Sequence, residues 1–151
     1  MKVAIGCDHR GYELKEGLKR FLVKSGYDVA DFGTKSKRSC DYPRYSQKVA
    51  RAVARGEADR GILTCLTGIG SSIVANKFQG VRAALCHTIK SATLSRQHND
   101  ANVLVLASGV VSKEKAKKIA LRWLTTDFAG GRHARRIRQI AKIERELAKL
   151  K

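Results

Sequence analysis

A thiol stands at the mouth of a glycine-rich turn in TCLTGIGSS, residues 64–72. Cys65 ends the apolar run GILTC, and Gly68 and Gly70 precede what reads as a helix. The backbone N–H groups of Leu66, Thr67, Gly68, Ile69 and Gly70 would stabilise negative charge there. Amides at a helix start lack intrahelical acceptors, and the helix dipole adds to their field. The same field would lower the pKa of Cys65. A thiolate beside an anion site can serve as a nucleophile or as a base. The glycine spacing is not a dinucleotide fingerprint, because Ile73 stands where the third glycine belongs, and no GK[ST] follows. A cysteine phosphatase loop would want arginine six positions after the thiol, where Ser71 stands. The plain alternative is a buried strand-end cysteine above an ordinary strand–helix turn.

Three other stretches carry similar chemistry. CDHRG, residues 7–11, places Asp8 and His9 just after an apolar run; either could instead cap the helix that follows. SRQHND, residues 95–100, holds His98 and Asn99, as a titrating acid or base with a neighbouring amide or as a helix end and turn. GRHARR, residues 131–136, opens the last helix. Arg132 and Arg136 at i, i+4 share a face, as do His133 and Arg136 at i, i+3. A forked cationic pair at a helix start suits a phosphate, while the bland reading is a solvated basic face. Together these loops suit a small phosphorylated ligand.

The elements that must position them alternate along the chain. Strands are expected at 3–6, 27–32, 61–65, 81–86 and 102–107; NVLVLA is almost unbroken apolar, as burial on both faces requires. Helices are expected at 11–25 (Leu14, Leu18, Phe21 and Leu22 on one face), 44–55 (Val49 and Val53 inward), after Gly70, at 88–97, at 112–126, and from 132 to the end. Pro43 falls in the polar loop GTKSKRSCDYP. The last helix spaces Ile137, Ile140, Ile143, Leu147 and Leu150 by three or four, a narrow stripe suited to a partner helix. Five strands alternating with helices predict an α/β fold with a parallel sheet covered on both faces. Ligands in such sheets lie beyond the carboxyl ends of the strands, at a switch in strand order.

Composition narrows the classes further. The chain has 151 residues, 43% hydrophobic and 29% charged, which predicts one globular domain over 1–151. No apolar run approaches the roughly 18 residues a membrane span needs. The start, MKVAIGCDHRGYELK, reads as a first strand and not as a signal peptide, so a cytoplasmic setting with reduced thiols is expected. Cys7, Cys40, Cys65 and Cys86 stand singly, without a CxxC pair or other metal-ligand cluster. The net charge of +18 raises nucleic acid as a partner. Residues 112–151 carry 13 Lys/Arg against 4 Asp/Glu, and the remaining excess is diffuse. Only 6% of residues are aromatic, leaving little for base stacking, so nucleic-acid binding is the weaker class.

GCDHRGYELK, DYPRY, GILTCLTGIGSSIVANK, RAALC, SRQHNDANVLVL and GGRHARR resemble, in order and spacing, the type B ribose-5-phosphate isomerases. That family belongs with the galactose-6-phosphate isomerase subunits LacA and LacB, and the resemblance covers residues 1 to about 145. It implies a Rossmann-like α/β/α sandwich of five parallel strands, with a C-terminal helix used in dimerisation. It implies an aldose–ketose isomerase that interconverts ribose 5-phosphate and ribulose 5-phosphate through a cis-enediolate, without metal or cofactor. By this match Cys65 is the base at C2 and C1, His98 opens the sugar ring with Asp8 beside it, and the amides of Leu66, Thr67, Gly68, Ile69 and Gly70 hold the enediolate. Asn99 would bond the reacting oxygens, Tyr42 would line the sugar pocket, and His9, Arg132 and Arg136 would grip the phosphate. Sites in the family form across a homodimer, and a tetramer is compatible with that. Ser71 stands where some members carry an acidic base, which points to the cysteine-based branch. One departure stands out: the family usually has glycine after the catalytic cysteine, and here it is Leu66. A positive φ there would strain it; otherwise it narrows or repacks the pocket. A hexose 6-phosphate such as allose or galactose 6-phosphate is the neighbouring substrate reading, and a catalytically dead sugar-phosphate sensor the remaining one.

Overall fold

The computed structural model describes residues 1–150. Its elements are β1 (Lys2–Cys7), α1 (Tyr12–Lys24), β2 (Asp28–Asp31), α2 (Tyr42–Ala54), β3 (Arg60–Cys65), α3 (Ile69–Ala75), β4 (Ala83–Leu85), α4 (Ile89–Asn99), β5 (Val103–Ala107), α5 (Lys113–Leu124) and α6 (Arg132–Ala148). The strands form one five-stranded sheet in the order β2-β1-β3-β5-β4, parallel at every pairing. This is the expected Rossmann-like α/β/α layering. The order reverses between β1 and β3, so the crevice that parallel sheets use for ligands opens where Asp8 and Cys65 lie.

Two apolar layers hold the helices on the sheet. On one face Leu14, Leu18 and Leu22 of α1 meet Ile119, Ala120 and Trp123 of α5 over Val3, Ile5, Leu104 and Leu106. On the other, Val49, Ala50 and Ala52 of α2 with Ala75 of α3 cover Ala4, Leu63, Val103 and Val105. Alternate residues of each strand therefore serve opposite layers, and β5 is buried along its whole length.

Several boundaries differ from the sequence reading. Helix α2 begins at Tyr42 and takes Pro43 into its first turn, where the missing N–H costs nothing. Strand β4 spans only Ala83–Leu85, with Val81 and Cys86 buried on either side of it. Helix α6 ends at Ala148, and Lys151, part of the expected last helix, lies outside the described residues. Among the described residues of α6 only His133 is fully buried, and Ile140, Ile143 and Leu147 are 41–56% exposed.

Candidate active site

Cys65 is the last residue of β3 and only 7% exposed. Its thiol donates a hydrogen bond to the Asp8 carboxylate, with Sγ 3.3 Å from Oδ2. Asp8 is itself buried, and its other oxygen accepts from the N–H groups of Gly11 at 2.9 Å and Arg10 at 3.1 Å. Asp8 does not cap α1, whose N-cap Gly11 has no side-chain partner; one Asp8 oxygen ties the loop before the helix, and the other faces the sulfur. Burial pushes the Cys65 thiol above its ordinary value, and the Asp8 hydrogen bond and charge push it further. Hydrogen bonds from Ser71 and the Gly68 amide pull the other way without prevailing. The expectation of a lowered thiol pKa is therefore corrected: burial of the sulfur, with the Asp8 carboxylate beside it, raises the thiol, and α3 has only seven residues.

The turn after Cys65 is shaped by glycine. Gly68 has φ +74°, and a Cβ there would meet Leu85 Cδ1 at 2.6 Å. Gly70 lies under the Tyr42 ring so closely that a Cβ would meet Cζ at 2.5 Å. The Ile69 amide is taken by Thr67 Oγ1 at 3.3 Å. Among the described residues the Thr67 and Gly70 amides find no acceptor in the chain. Leu66 escapes the strain considered for it, since Asp100 is the one non-glycine residue with positive φ among those described. Its side chain, 38% exposed, fills the space beside Gly109, where a Cβ would meet Leu66 Cδ1 at 3.1 Å. Leu66 also forms one wall of a recess of about 500 Å³ shared with His9, Arg10, Lys37 and Lys113.

His9 is half-buried, and the Cys40 amide donates to its Nδ1 at 3.2 Å. Cys40 belongs to the loop from Phe32 to Asp41. Lys15 anchors the base of that loop: its Nζ is fully buried and donates to the Thr34 carbonyl at 3.1 Å and to Asp31 at 2.8 Å. Cys65, Asp8, His9, Tyr42 and the 66–70 turn therefore converge at the carboxyl edge of the sheet.

The other four site candidates lie elsewhere. His98 and Asn99 end α4, just before β5 begins at Val103, so they stand at the amino edge. The length of β5, roughly 15 Å, separates the two edges. Asp100, with φ +45°, closes α4 and is clamped by Arg96 at 2.7 Å and Arg82 at 3.1 Å. The start of α6 packs beside this corner: the Ala129 amide bonds the Gln97 carbonyl, and the His133 ring stacks on His98 with centroids 4.2 Å apart. Arg132 and Arg136 flank that stack and are both exposed. Within one chain the thiol half and the imidazole–guanidinium half do not meet. The carboxyl-edge rule could not find the second half, because its residues precede a strand.

A family model described as ribose/galactose isomerase matches residues 3–140. The chain is 52% identical over 143 residues to ribose-5-phosphate isomerase B of Escherichia coli, covering 95% of this chain and 96% of that protein. Among solved structures, ribose-5-phosphate isomerase B of Clostridium thermocellum superposes with a TM-score of 0.96 at 51% identity, over 97% of this chain and 99% of that one. The ribose 5-phosphate isomerase of Thermotoga maritima gives 0.91 at 49% identity, over 93% and 97%.

Proposed function

This chain belongs to the ribose/galactose isomerase family and is an aldose–ketose isomerase, and on that premise we propose that it interconverts ribose 5-phosphate and ribulose 5-phosphate in a site completed by a second copy of itself. The observation that carries this reading is the Cys65 thiol held 3.3 Å from the Asp8 carboxylate beside a glycine turn with free amides.

The chemistry moves only protons between sugar carbons and oxygens, so it calls for no cofactor. The closed sugar is opened by His98, which takes the proton of the anomeric hydroxyl and passes it to the ring oxygen as the bond from C1 to that oxygen breaks. The Cys65 proton passes to Asp8, the resulting thiolate takes the proton from C2, and electrons move onto the C1 oxygen. The enediolate accepts hydrogen bonds from the Thr67 and Gly70 amides, and each such donor is worth roughly 10²–10³ in rate. The O2 hydroxyl proton passes to O1 as sulfur returns its proton to C1, which gives the ketose, and Asp8 hands its proton back to the sulfur. Burial and the Asp8 carboxylate raise the thiol pKa, so the thiolate is the stronger base but the rarer form, and the proton transfer to Asp8 is the step that supplies it. Leu66, Gly68 and Ile69 shape the turn, Tyr42 walls the sugar, Asn99 bonds its oxygens, and His9, Arg132 and Arg136 hold the phosphate.

His98, Asn99, Arg132 and Arg136 reach the sulfur only from a second copy, and the uncovered apolar stripe of α6 supports such pairing. Residues 1–151 would then act as one domain of a homodimer. Leu66 packs toward Gly109 and walls the recess it shares with His9, a wall we read as favouring a pentose over a hexose phosphate. Four free thiols support a cytoplasmic setting.

Mixing two inactive proteins tests the sharing directly. In a two-fold dimer of Cys65→Ala with His98→Ala, one site carries both lesions and the other carries neither. Statistical exchange of equal amounts should restore about one quarter of native activity. A mixture that stays inactive after exchange, or either single variant that retains near-native turnover, would refute the reading.

A further inference from the structure

The stacked imidazoles at the amino edge contain one residue with no role in the scheme above. His133 is 9% exposed, and its ring lies 4.2 Å from that of His98, only 9° from parallel. The placement is built by the backbone. Gly130 and Gly131 both take positive φ, the His133 amide bonds the Gly130 carbonyl at 3.0 Å, and Ala129 is tied to Gln97 on α4. The last turn of α4 and the first turn of α6 thus arrive with their rings face to face.

We propose that His133 is a positioning residue for the ring-opening step: its buried ring fixes the plane of the His98 imidazole and presents that imidazole to the sugar of the neighbouring copy. The proposal rests on the acid–base role given to His98. His98 is half-buried and, among the described residues, hydrogen-bonds to no other side chain, so the stack is the contact that fixes its plane. Freed from it, the ring would sample other rotamers at the point where about 1 Å decides a proton transfer.

The surroundings of the stack favour a neutral His133. Burial lowers the His133 pKa, and the adjacent His98, Arg132 and Arg136 lower it further. The groups around the pair are cationic or already engaged: Arg132 and Arg136 on α6, and on α4 the Asp100 carboxylate clamped by Arg82 and Arg96. Asp127 is the sole acidic residue in the connection from α5 to α6. Among the described residues no carboxylate pairs with either ring. Protonation of His133 beside two guanidiniums would drive the rings apart, so activity on the acid side should follow His133.

The test is the pH dependence of ribose 5-phosphate isomerisation for native protein, His133→Ala and His133→Phe. His133→Ala should lower kcat roughly 10- to 100-fold with little change in KM. His133→Phe keeps a flat ring without a titrating nitrogen, so it should recover most of kcat and flatten the acid-side fall. Equal activity of all three proteins, or equal losses in the alanine and phenylalanine variants, would overturn the proposal. A change confined to KM would also overturn it, by placing His133 with the phosphate instead. His98→Ala separates the two levels: if it stays active the ring-opening role itself fails, and if it is inactive while His133→Ala is native only the positioning role fails. Thermal unfolding of each variant identifies a loss that is merely structural, and native-like kcat per folded molecule in His133→Ala would again count against the proposal.

Discussion

Replacing Gly70 by alanine should separate activity from stability. A Cβ at residue 70 would sit 2.5 Å from Tyr42 Cζ and 2.7 Å from Cε2 and Oη. Ordinary contact begins near 3.4 Å, so the ring must withdraw by about 0.9 Å. Tyr42 is 38% exposed and can swing outward, so the fold yields cheaply. Alanine also favours the helix over glycine by up to about 1 kcal/mol, so the melting temperature should hold or rise. The Gly70 amide survives the change. What moves is the proposed wall of the sugar site, and a displacement near 1 Å costs roughly 10²-fold in rate, about 2.7 kcal/mol of transition-state stabilisation. The assay is kcat/KM for ribose 5-phosphate in Gly70→Ala, Tyr42→Ala and the double variant, alongside thermal unfolding. If Tyr42 transmits the effect, the double variant should equal Tyr42→Ala. Native activity in Gly70→Ala, or a full additional loss in the Tyr42→Ala background, would refute the reasoning.

Two further outcomes follow from the charged groups. Asn at position 8 keeps the acceptor for the Gly11 and Arg10 amides but removes the charge that raises the Cys65 thiol. Iodoacetamide should then modify Cys65 at lower pH than in native protein while isomerisation falls, and an unchanged alkylation profile would count against the Asp8–Cys65 coupling. Lys15→Met should destabilise the fold by roughly 2–4 kcal/mol in urea, less than a fully orphaned pair because Lys19 still reaches Asp31 at 2.8 Å. Burial raises the Asp31 carboxyl, but hydrogen bonds from Lys15, Lys19 and the Gly33 amide outweigh it and hold the group below the usual carboxylate range. That stabilisation is present above the ordinary aspartate pKa and fades as pH falls through the lowered one, so in Lys15→Met the acid transition should move to higher pH.

The layered fold was legible because burial writes itself into residue type. Residues 103–107 are apolar throughout and buried throughout, and Leu14, Leu18 and Leu22 mark the one face of α1 that meets the core. Pro43 misled, since proline reads as a loop until its place at a helix start is known, and that start is what carries Tyr42 over Gly70. The place of the thiol at the mouth of the turn was legible, but the direction of its pKa was not. Helix and glycine turn are local in sequence, whereas the burial that raises the thiol comes from the packed fold and the Asp8 carboxylate from 57 residues away. Whether Leu66 is strained or merely repacks the pocket was open in the sequence, because the glycine usual at that place is free to take any φ. The backbone there needs no such freedom, and the room for its side chain comes from Gly109, a distant position that spacing within the turn cannot reveal.

The split of the candidate site has a geometric logic of its own. A parallel sheet sends every strand end to one edge, so residues before and after strands are held apart by the strand length. With Cys65 at the end of β3 and His98 before β5, one chain holds the proposed base and the proposed ring-opening group apart. A two-fold axis would bring them together. If the carboxyl edge of one copy meets the amino edge of the second, the same operation makes the reverse contact, and both sites close together. The arginines at the start of α6 and the apolar stripe along it then belong to one device, with one end completing a neighbour's phosphate site while the other supplies the contact. Loss of the stripe should therefore abolish both sites, because neither thiol retains an imidazole within reach.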